Sequence, residues 1–325
     1  METFEILAKK ARKRTGRRML FTTLSVLFAC FIIYAGLMFV SGKLLNRNFQ
    51  KLIVYYDQRM TIAYPNIYMK SNSRPNGRFS AAYHIERIKD IDGVEIPYPP
   101  LRATASLFDT HLDHTGDGTI YQAFRDPVTN RFYSNQSKDR NPAFFNVQAD
   151  WNKKHSGKPS QELELTREME GQLVEVALTF DQPYSYQELQ EMLPENLKQN
   201  WFWMGTTNKE QDFAFDLTDI YGLSFRYKVL EMNYSQFIEK VKGALKDPRY
   251  KTMTTYGGSG ETFSNYDDLE FIKEHYPTLE KAKFAGVILT GKAENFAQLE
   301  GKDWIFASSI GTSIPNQPYY HLDKE

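Results

Sequence analysis

The chain has 325 residues, 40 basic and 40 acidic, for a formal net charge of zero, and one cysteine, Cys30, which excludes an internal disulfide framework. Charge is unevenly placed: residues 1–18 carry seven basic and two acidic side chains, leaving 33 basic and 38 acidic beyond them, a net of −5. An acidic remainder argues against nucleic acid as a partner.

The basic tail (Lys9, Lys10, Arg12, Lys13, Arg14, Arg17, Arg18) suits an anionic lipid leaflet. Met19 to Val40 follows without a charge. As a helix it is roughly 33 Å long, enough to cross a hydrocarbon core of about 30 Å. A cleaved signal peptide has a shorter apolar run. Leu27-Phe28-Ala29-Cys30 has the outline of a lipoprotein signal, but Phe28 is bulky and the apolar run continues well past Cys30. The reading is an uncleaved anchor. Seven basic residues before it and only Lys43, Arg47 and Lys51 soon after place the N-terminus in the cytoplasm and the remainder outside. Ala29, Ala35 and Gly36 are small enough for a neighbouring membrane helix to approach closely.

Beyond the anchor, Gly42 to Gln50 reads as a polar junction, and Lys51 to Ala63 as either a strand or the continuing stem. Pro65, Pro75, Asn76 and Gly77 interrupt the pattern. Arg78 to Lys89 alternates as a strand, and Pro97, Pro99 and Pro100 argue against a helix there. Gly116 to Phe124 and Arg131 to Asn135 are short strand candidates. Asn152 to Ser160 is polar and carries turn residues, and it marks the boundary between a strand- and turn-rich domain, 45–155, and an α+β domain, 160–325.

The second half has a clearer rhythm. Gln172 to Phe180 has period two and reads as a strand. Ser185 to Leu193 is a helix with Ser185 as N-cap, Glu188 completing a capping box, and Pro194 ending it. Trp201 to Gly205 is an aromatic strand, with Trp201 and Trp203 on one face and Phe202 on the other. Asn233 to Lys246 and Asn265 to Tyr276 are amphipathic helices. Phe284 to Thr290 is a strand, Glu294 to Leu299 a short helix, and Trp304 to Ile310 a final strand with Trp304 as a core residue. The fold class is thus one N-terminal transmembrane helix followed by an α+β extracytoplasmic region, strand-rich in its first half and a sheet with packed helices in its second.

Chemical motifs are weak. In DTHLDHTGDG, His111 and His114 lie among Asp109, Asp113 and Asp117, but the spacing completes neither a zinc nor a calcium pattern. Tyr256 to Glu261 is glycine-rich without the lysine of a phosphate loop. No nucleophile elbow or zinc-protease motif occurs. No catalytic, cofactor or metal residue is assigned, and an enzyme is not expected.

One combination is distinctive. A strand ends in Phe180-Asp181 and leads to Gln182-Pro183-Tyr184-Ser185-Tyr186, a helix, then Trp201-Phe202-Trp203. Near the end come Ile288-Leu289-Thr290-Gly291-Lys292, a helix, and Ile305-Phe306-Ala307-Ser308-Ser309-Ile310-Gly311. This order, behind a basic leader and one membrane helix, resembles the membrane-bound sigma-factor regulators of Gram-positive bacteria over roughly residues 8–60 and 165–315. The resemblance implies an anti-sigma-factor-like protein, with an extracytoplasmic sensor domain, that helps restrain an extracytoplasmic-function sigma factor. Pro183, Tyr184, Trp201, Trp203, Ser308, Ser309 and Gly311 are the residues that carry it. The 18-residue tail offers too little surface for an ordinary interface of about 800 Å² per partner. The sigma factor is therefore expected as an indirect partner, reached through a small membrane protein. A cell-envelope binding protein is the alternative, and an envelope enzyme a further one.

Overall fold

The computed structural model describes residues 2–75, 77, 79–113, 124–133, 140–151, 157–208, 213–214, 220–225, 230–252, 255–256, 262–263 and 266–324. Its first element, α1 (Glu2–Ile62), is a single unbroken helix that includes the basic tail, the uncharged span and the stem beyond it. Among the described residues it is the one helix long and apolar enough to cross a membrane. The polar junction expected at Gly42 to Gln50 is instead the start of a core-packed stripe. Leu45, Phe49, Leu52, Tyr55 and Tyr56 are all buried, at spacings of three to four residues that put them on one helical face. Lys51 to Ala63 is therefore the stem and not a strand. Pro65 cannot continue the helix, and Tyr64 and Asn66 take left-handed backbone angles (φ 60° and 53°) to turn the chain into the first strand.

Four strands, β1 (Ile67–Ser73), β2 (Ser80–Ile91), β3 (Val94–Ser106) and β4 (Thr110–Asp113), form an antiparallel sheet in that order. The turn from β2 to β3 is Asp92-Gly93, both with positive φ (53° and 92°) and with Ile91 opposite Val94, the geometry that two-residue hairpins favour. β3 holds the three prolines 97, 99 and 100 within a strand. Two-residue strands follow: β5 (Phe124–Arg125) pairs with β6 (Phe132–Tyr133), and β7 (Phe144–Phe145) with β10 (Phe213–Ala214). The expected strand at Gly116 to Phe124 and the residues His114 and Asp117 lie, but for Phe124, outside the described residues, whereas His111 and Asp113 lie on β4.

The second sheet has the order β11-β9-β14-β8-β15 and is antiparallel throughout. Its strands are β8 (Gln172–Ser185), β9 (Lys198–Trp203), β11 (Gly222–Ser224), β14 (Lys283–Lys292) and β15 (Ile305–Pro315). A small hairpin, β12 (Thr255–Tyr256) and β13 (Thr262–Phe263), lies between helices. These are α2 (Tyr186–Met192), α3 (Leu230–Ala244), α4 (Pro248–Thr252) and α5 (Tyr266–His275), with 3-10 turns at Leu163–Glu168, Leu279–Lys281 and Ala293–Leu299. The capping box is present in full: the Ser185 hydroxyl accepts from Glu188 N–H, and the Glu188 carboxylate accepts from Ser185 N–H at 2.7 Å.

The faces of β8 divide the interior. Val174, Val176, Leu178 and Phe180 join one cluster with the α1 stem, the first sheet and helices α3 and α5. Trp201, Trp203, Ala177 and Ile288 turn to the other side around Phe144, whose ring stacks on Trp203 with centroids 5.0 Å apart. Trp304 is half-buried, not a core residue as expected, and meets Phe180 edge-on at 5.8 Å.

The stem is thus part of the folded core. Leu52→Ala is expected to destabilise the detergent-solubilised full chain by about 2–5 kcal/mol, the cost of emptying a filled apolar site. Val54→Ala, half exposed on the same helix, is expected to change it by less than about 0.5 kcal/mol. Paired thermal or denaturant melts of the two variants check this; equal, small effects would remove the stem from the core.

Candidate functional site: a buried ionic clasp between the sheets

Glu175 sits in the middle of β8 with no exposed surface, and Lys89 on β2 is 1% exposed. Lys89 Nζ donates to Glu175 Oε2 at 2.6 Å. The same ammonium donates to the carbonyl of Arg140 at 3.0 Å and to Thr312 Oγ1 at 3.3 Å, so its three hydrogens are placed. The carboxylate accepts two more bonds, from Asn66 Nδ2 at 2.8 Å and from Thr312 N–H at 3.1 Å. Burying two charges costs several kcal/mol each unless they are paired and their remaining bonds filled. Here both conditions are met.

Two bulges make room for this pair. On β15, Ile310 pairs with Val176 and Ser313 with Val174, so Gly311 and Thr312 together stand opposite Glu175. A bulge re-aims backbone groups, and this one turns Thr312 N–H onto the carboxylate. A Cβ on Gly311 would come within 2.2 Å of Glu175 Oε2, so the glycine is required by the approach of the carboxylate. On β9, Asn200 falls between the residues that pair with Ile288 and Leu289. Its side chain joins Asn66 Oδ1 at 3.0 Å, the Asp90 carbonyl at 2.9 Å and the Thr290 hydroxyl at 2.7 Å. Thr290 in turn accepts from Asp92 N–H at 2.9 Å.

The C-terminal segment closes the outer side. Lys198 bonds Asp90 at 2.6 Å and also pairs with Asp323. Burial works against the Lys198 charge, but the bonds to Asp323 and Asp90 outweigh it, and its pKa is raised. Lys324 N–H donates to Asp92 Oδ1 at 3.0 Å, while Asp92 Oδ2 is buried with no hydrogen-bond partner among the described residues. Burial pushes the Asp92 carboxyl up to about 7, partly opposed by the Lys324 N–H bond and the Lys198 charge. The clasp therefore joins five pieces: the turn after α1, the β2–β3 hairpin, the Arg140 segment, four strands of the second sheet and the C-terminal segment.

The residues singled out from the sequence fall into separate places. Gly311 touches the clasp, whereas Ser308 stands opposite Leu178 and holds the 160–163 segment: its hydroxyl accepts from Leu163 N–H at 3.0 Å, and its carbonyl accepts from the Ser160 hydroxyl. Ser309 is buried. Trp201 and Trp203 form the aromatic layer behind the sheet. Pro183 and Trp203 line a cleft of about 220 Å³ with Phe145, Phe271, Tyr276 and Asp268. Burial raises the Asp268 carboxyl above its ordinary range, although Thr207 donates to it through both N–H and hydroxyl at 2.6 Å. Tyr184 donates to Asp181 at 2.7 Å and packs edge-on against Phe180. Ala29, Ala35 and Gly36 lie on the exposed span, far along α1 from all of these, and nothing approaches within 4 Å of the Gly36 Cβ position.

Lys89, Asn66, Glu175, Asn200, Asp92 and Thr312 were not singled out from the sequence. A signal was present: Glu175, Ala177 and Thr179 alternate with a full apolar face, and small residues at 177, 309 and 311 mark a face that something covers. The clasp yields two expectations. Glu175→Met or Lys89→Met is expected to cost about 3–5 kcal/mol, since each leaves a buried charge unpaired, whereas the double change Lys89→Met with Glu175→Met costs less than the sum; a double-mutant cycle of denaturant melts reads the coupling. Asp92 has a folded pKa of about 7, above the ordinary unfolded value of about 4. Its contribution is complete below about pH 4 and is lost as pH rises through 7. Melts across that range are expected to show stability falling with rising pH near neutrality, and Asp92→Asn to flatten the fall.

Residues 7–96 match the family model of the sigma factor regulator N-terminal region, and residues 166–312 match that of the sigma factor regulator C-terminal region. Neither a curated protein nor a solved structure matches the chain. The first match ends just past the β2–β3 hairpin turn and the second covers the sheet that holds Glu175, so the clasp joins the two matched regions of this chain. Together with the single N-terminal membrane helix, the two matches place the chain in the sigma factor regulator family.

Proposed function

We propose that this single-pass membrane protein is a signal-anchored sensor in an anti-sigma-factor system. Its tail, residues 1–18, lies in the cytoplasm, and its folded region lies outside and helps restrain an extracytoplasmic-function sigma factor. The observation that carries the reading is the continuity of α1: one helix runs from the tail through the span into the core and ends beside the clasp. A change in the folded region is thereby delivered to the membrane as a tilt, rotation or shift of a stiff rod. Residues 1–18 by themselves offer less surface than an ordinary interface of about 800 Å² per partner. A small membrane protein that pairs with the span completes the restraint in this reading. Ala29 and Gly36 are seven residues apart and share a helical face, with Ala35 beside Gly36 on the flank.

The cleft between Trp203 and α5 supports the second reading, a cell-envelope binding protein, since its aromatic wall and buried Asp268 are the kind of lining that small ligands use.

Reporters for the extracytoplasmic-function sigma factors of the source cell test the first reading. Loss of the gene is expected to raise reporter activity. Gly36→Leu or Ala35→Leu is expected to disturb regulation more than removal of residues 2–7. Full derepression by the tail deletion, with silent helix variants, would mean that the tail binds directly. No response of any sigma-factor reporter to gene loss would put the envelope-binding reading first. Protease added to intact protoplasts checks the orientation: digestion beyond about residue 62, with the N-terminus spared, is expected, and a protected folded region would reverse the topology.

A further inference from the structure

The first sheet runs alongside the stem, from the far end of α1 back towards the span. At its far end the Asp90 carbonyl accepts from Asn66, beyond the last turn of α1. At its near end Ser80, the first residue of β2, pairs with Ser106, the last of β3. Three contacts tie this near end to the part of α1 that leaves the span. Asn48 Nδ2 donates to the carbonyls of Ser106 and Leu107 at 3.0 and 3.2 Å. Arg74, in the β1–β2 connection, donates to Asn46 Oδ1 at 3.1 Å and lies over the Phe49 ring at 4.0 Å. Thr110, the first residue of β4, lines a groove together with Arg47. Measured along α1 from Val40, Asn46 lies about 9 Å and Asn48 about 12 Å beyond the span. Helical side chains lean towards the helix N-terminus, here towards the bilayer.

Two phenylalanines project from this near end. The β3–β4 connection is a tight turn: Ser106 N–H donates to the Asp109 carbonyl at 2.8 Å, and the Ser106 hydroxyl accepts from Phe108 N–H at 3.3 Å and Asp109 N–H at 3.0 Å. Leu107 packs on the core, while Phe108 at the tip is 91% exposed. Phe79, next to Ser80 in the neighbouring connection, is half exposed. Turn tips in water favour Gly, Pro, Asn, Asp and Ser, so a bare phenyl ring at the most exposed point of a well-bonded turn asks for an apolar neighbour. Asp109 beside it keeps its carboxylate on Thr110 N–H at 2.7 Å.

Height selects the neighbour. The Leu107 carbonyl, held by Asn48, stands about 12 Å beyond Val40. Phe108 follows one residue nearer the bilayer, about 3 Å along an extended chain, and its side chain adds roughly 5 Å of reach. The ring thereby comes to about 4 Å from the end of the span, inside a headgroup zone about 5–7 Å deep. We propose that Phe108 and Phe79 insert among the lipid headgroups of the adjacent leaflet, so that the folded region rests on the bilayer through its β1–β2 and β3–β4 connections. The contact is continuous with the lipid-facing span, where Leu37, Phe39 and Val40 are exposed. A lone helix is free to lean in a bilayer; α1 and two turns give three points of support and limit that lean. The contact depends on α1 crossing a bilayer, not on which side the folded region occupies or on any sigma factor.

Site-specific photocrosslinking in the full chain tests it. The photoreactive residue p-benzoylphenylalanine is placed, one position at a time, at Phe108, at Phe79, at Phe39 in the span, and at Tyr319. Tyr319 is an exposed aromatic on the C-terminal segment, which packs against the β2–β3 hairpin at the far end of the sheet. Each protein is reconstituted alone in phosphatidylcholine nanodiscs and irradiated, and its adducts are identified by mass. Lipid adducts at Phe108 and Phe79 are expected to exceed those at Tyr319 roughly tenfold, since only a ring inside the headgroup zone meets lipid C–H bonds. Both positions are exposed, so the thermal melts are expected to match that of the unsubstituted chain. Yields at Phe108 and Phe79 no higher than at Tyr319 overturn the membrane contact. Adducts to a second copy of the chain in place of lipid overturn lipid as the neighbour. Phe39 reports the anchor separately: without lipid adducts there, the span itself is overturned and the contact with it.

Discussion

Glu175 and Lys89 are shut off from water, and neither could remain charged there without the other. That constraint orders much of the surrounding structure. A one-residue slip of β2 would bring Ile88 or Asp90 to the place of Lys89, and a buried glutamate would face an isoleucine or a second carboxylate. The bulge at Gly311 and Thr312 exists opposite Glu175 because a regular ladder would supply a Cβ where the carboxylate must sit and no N–H aimed at it. Asn66, turned by its left-handed backbone, reaches the free oxygen of the same carboxylate. The pair thus fixes where α1 ends, how β2 lies on the second sheet, and where β15 kinks.

Much of the fold was legible in short-range pattern. Ser185 and Glu188 announced the start of α2, because a capping box is local chemistry that needs no tertiary partner. Period two through Val174 to Phe180 identified β8, and the split of Trp201 and Trp203 from Phe202 follows from strand geometry alone. The stem was less legible. Lys43, Asn46, Arg47, Asn48 and Gln50 make Gly42 to Gln50 look polar, although Leu45 and Phe49 hold the helical spacing that buries one face. The clasp was hidden for a different reason. An acidic residue alternating with apolar ones reads as the solvent face of a strand, and only the first sheet, far away in sequence, turns that face inward. Asp92-Gly93, not singled out from the sequence, is a hairpin turn of the ordinary kind, and its second role, receiving the C-terminal segment, depends on residues 323 and 324. Trp304 stands just before β15, the edge strand of its sheet, and only part of its indole packs on the core, against Phe180.

The family-matching residues divide between two ends of one strand. β8 pairs with both β14 and β15, carries Glu175 near its start, and ends at the Pro183-Tyr184-Ser185 turn into α2. Gly311 serves the clasp end. Pro183 and Trp203 serve the cleft at the other. A ligand in the cleft would press on the same strand that holds the clasp, since Thr179 and Phe180 of β8 line the cleft and Glu175 lies on β8. The cleft and the membrane stem are therefore connected through one element of secondary structure and one ion pair.

An ionic joint has a property that an apolar one lacks. Apolar contact is non-directional, so a sheet can slide by an ångström and lose little. A buried ammonium that has moved by the same distance loses short bonds in a medium that offers no water to replace them, and the cost rises steeply. Two apolar side chains in place of Lys89 and Glu175 would hold the sheets together about as well. They would not make the contact close to all-or-none. In the proposed reading, where an event on one side of a membrane is reported through α1, graded yielding at the joint would dissipate the signal before it reached the span. A joint that either holds in register or lets go keeps the stem in one of two positions, and two discrete positions are what a partner helix in the bilayer can read.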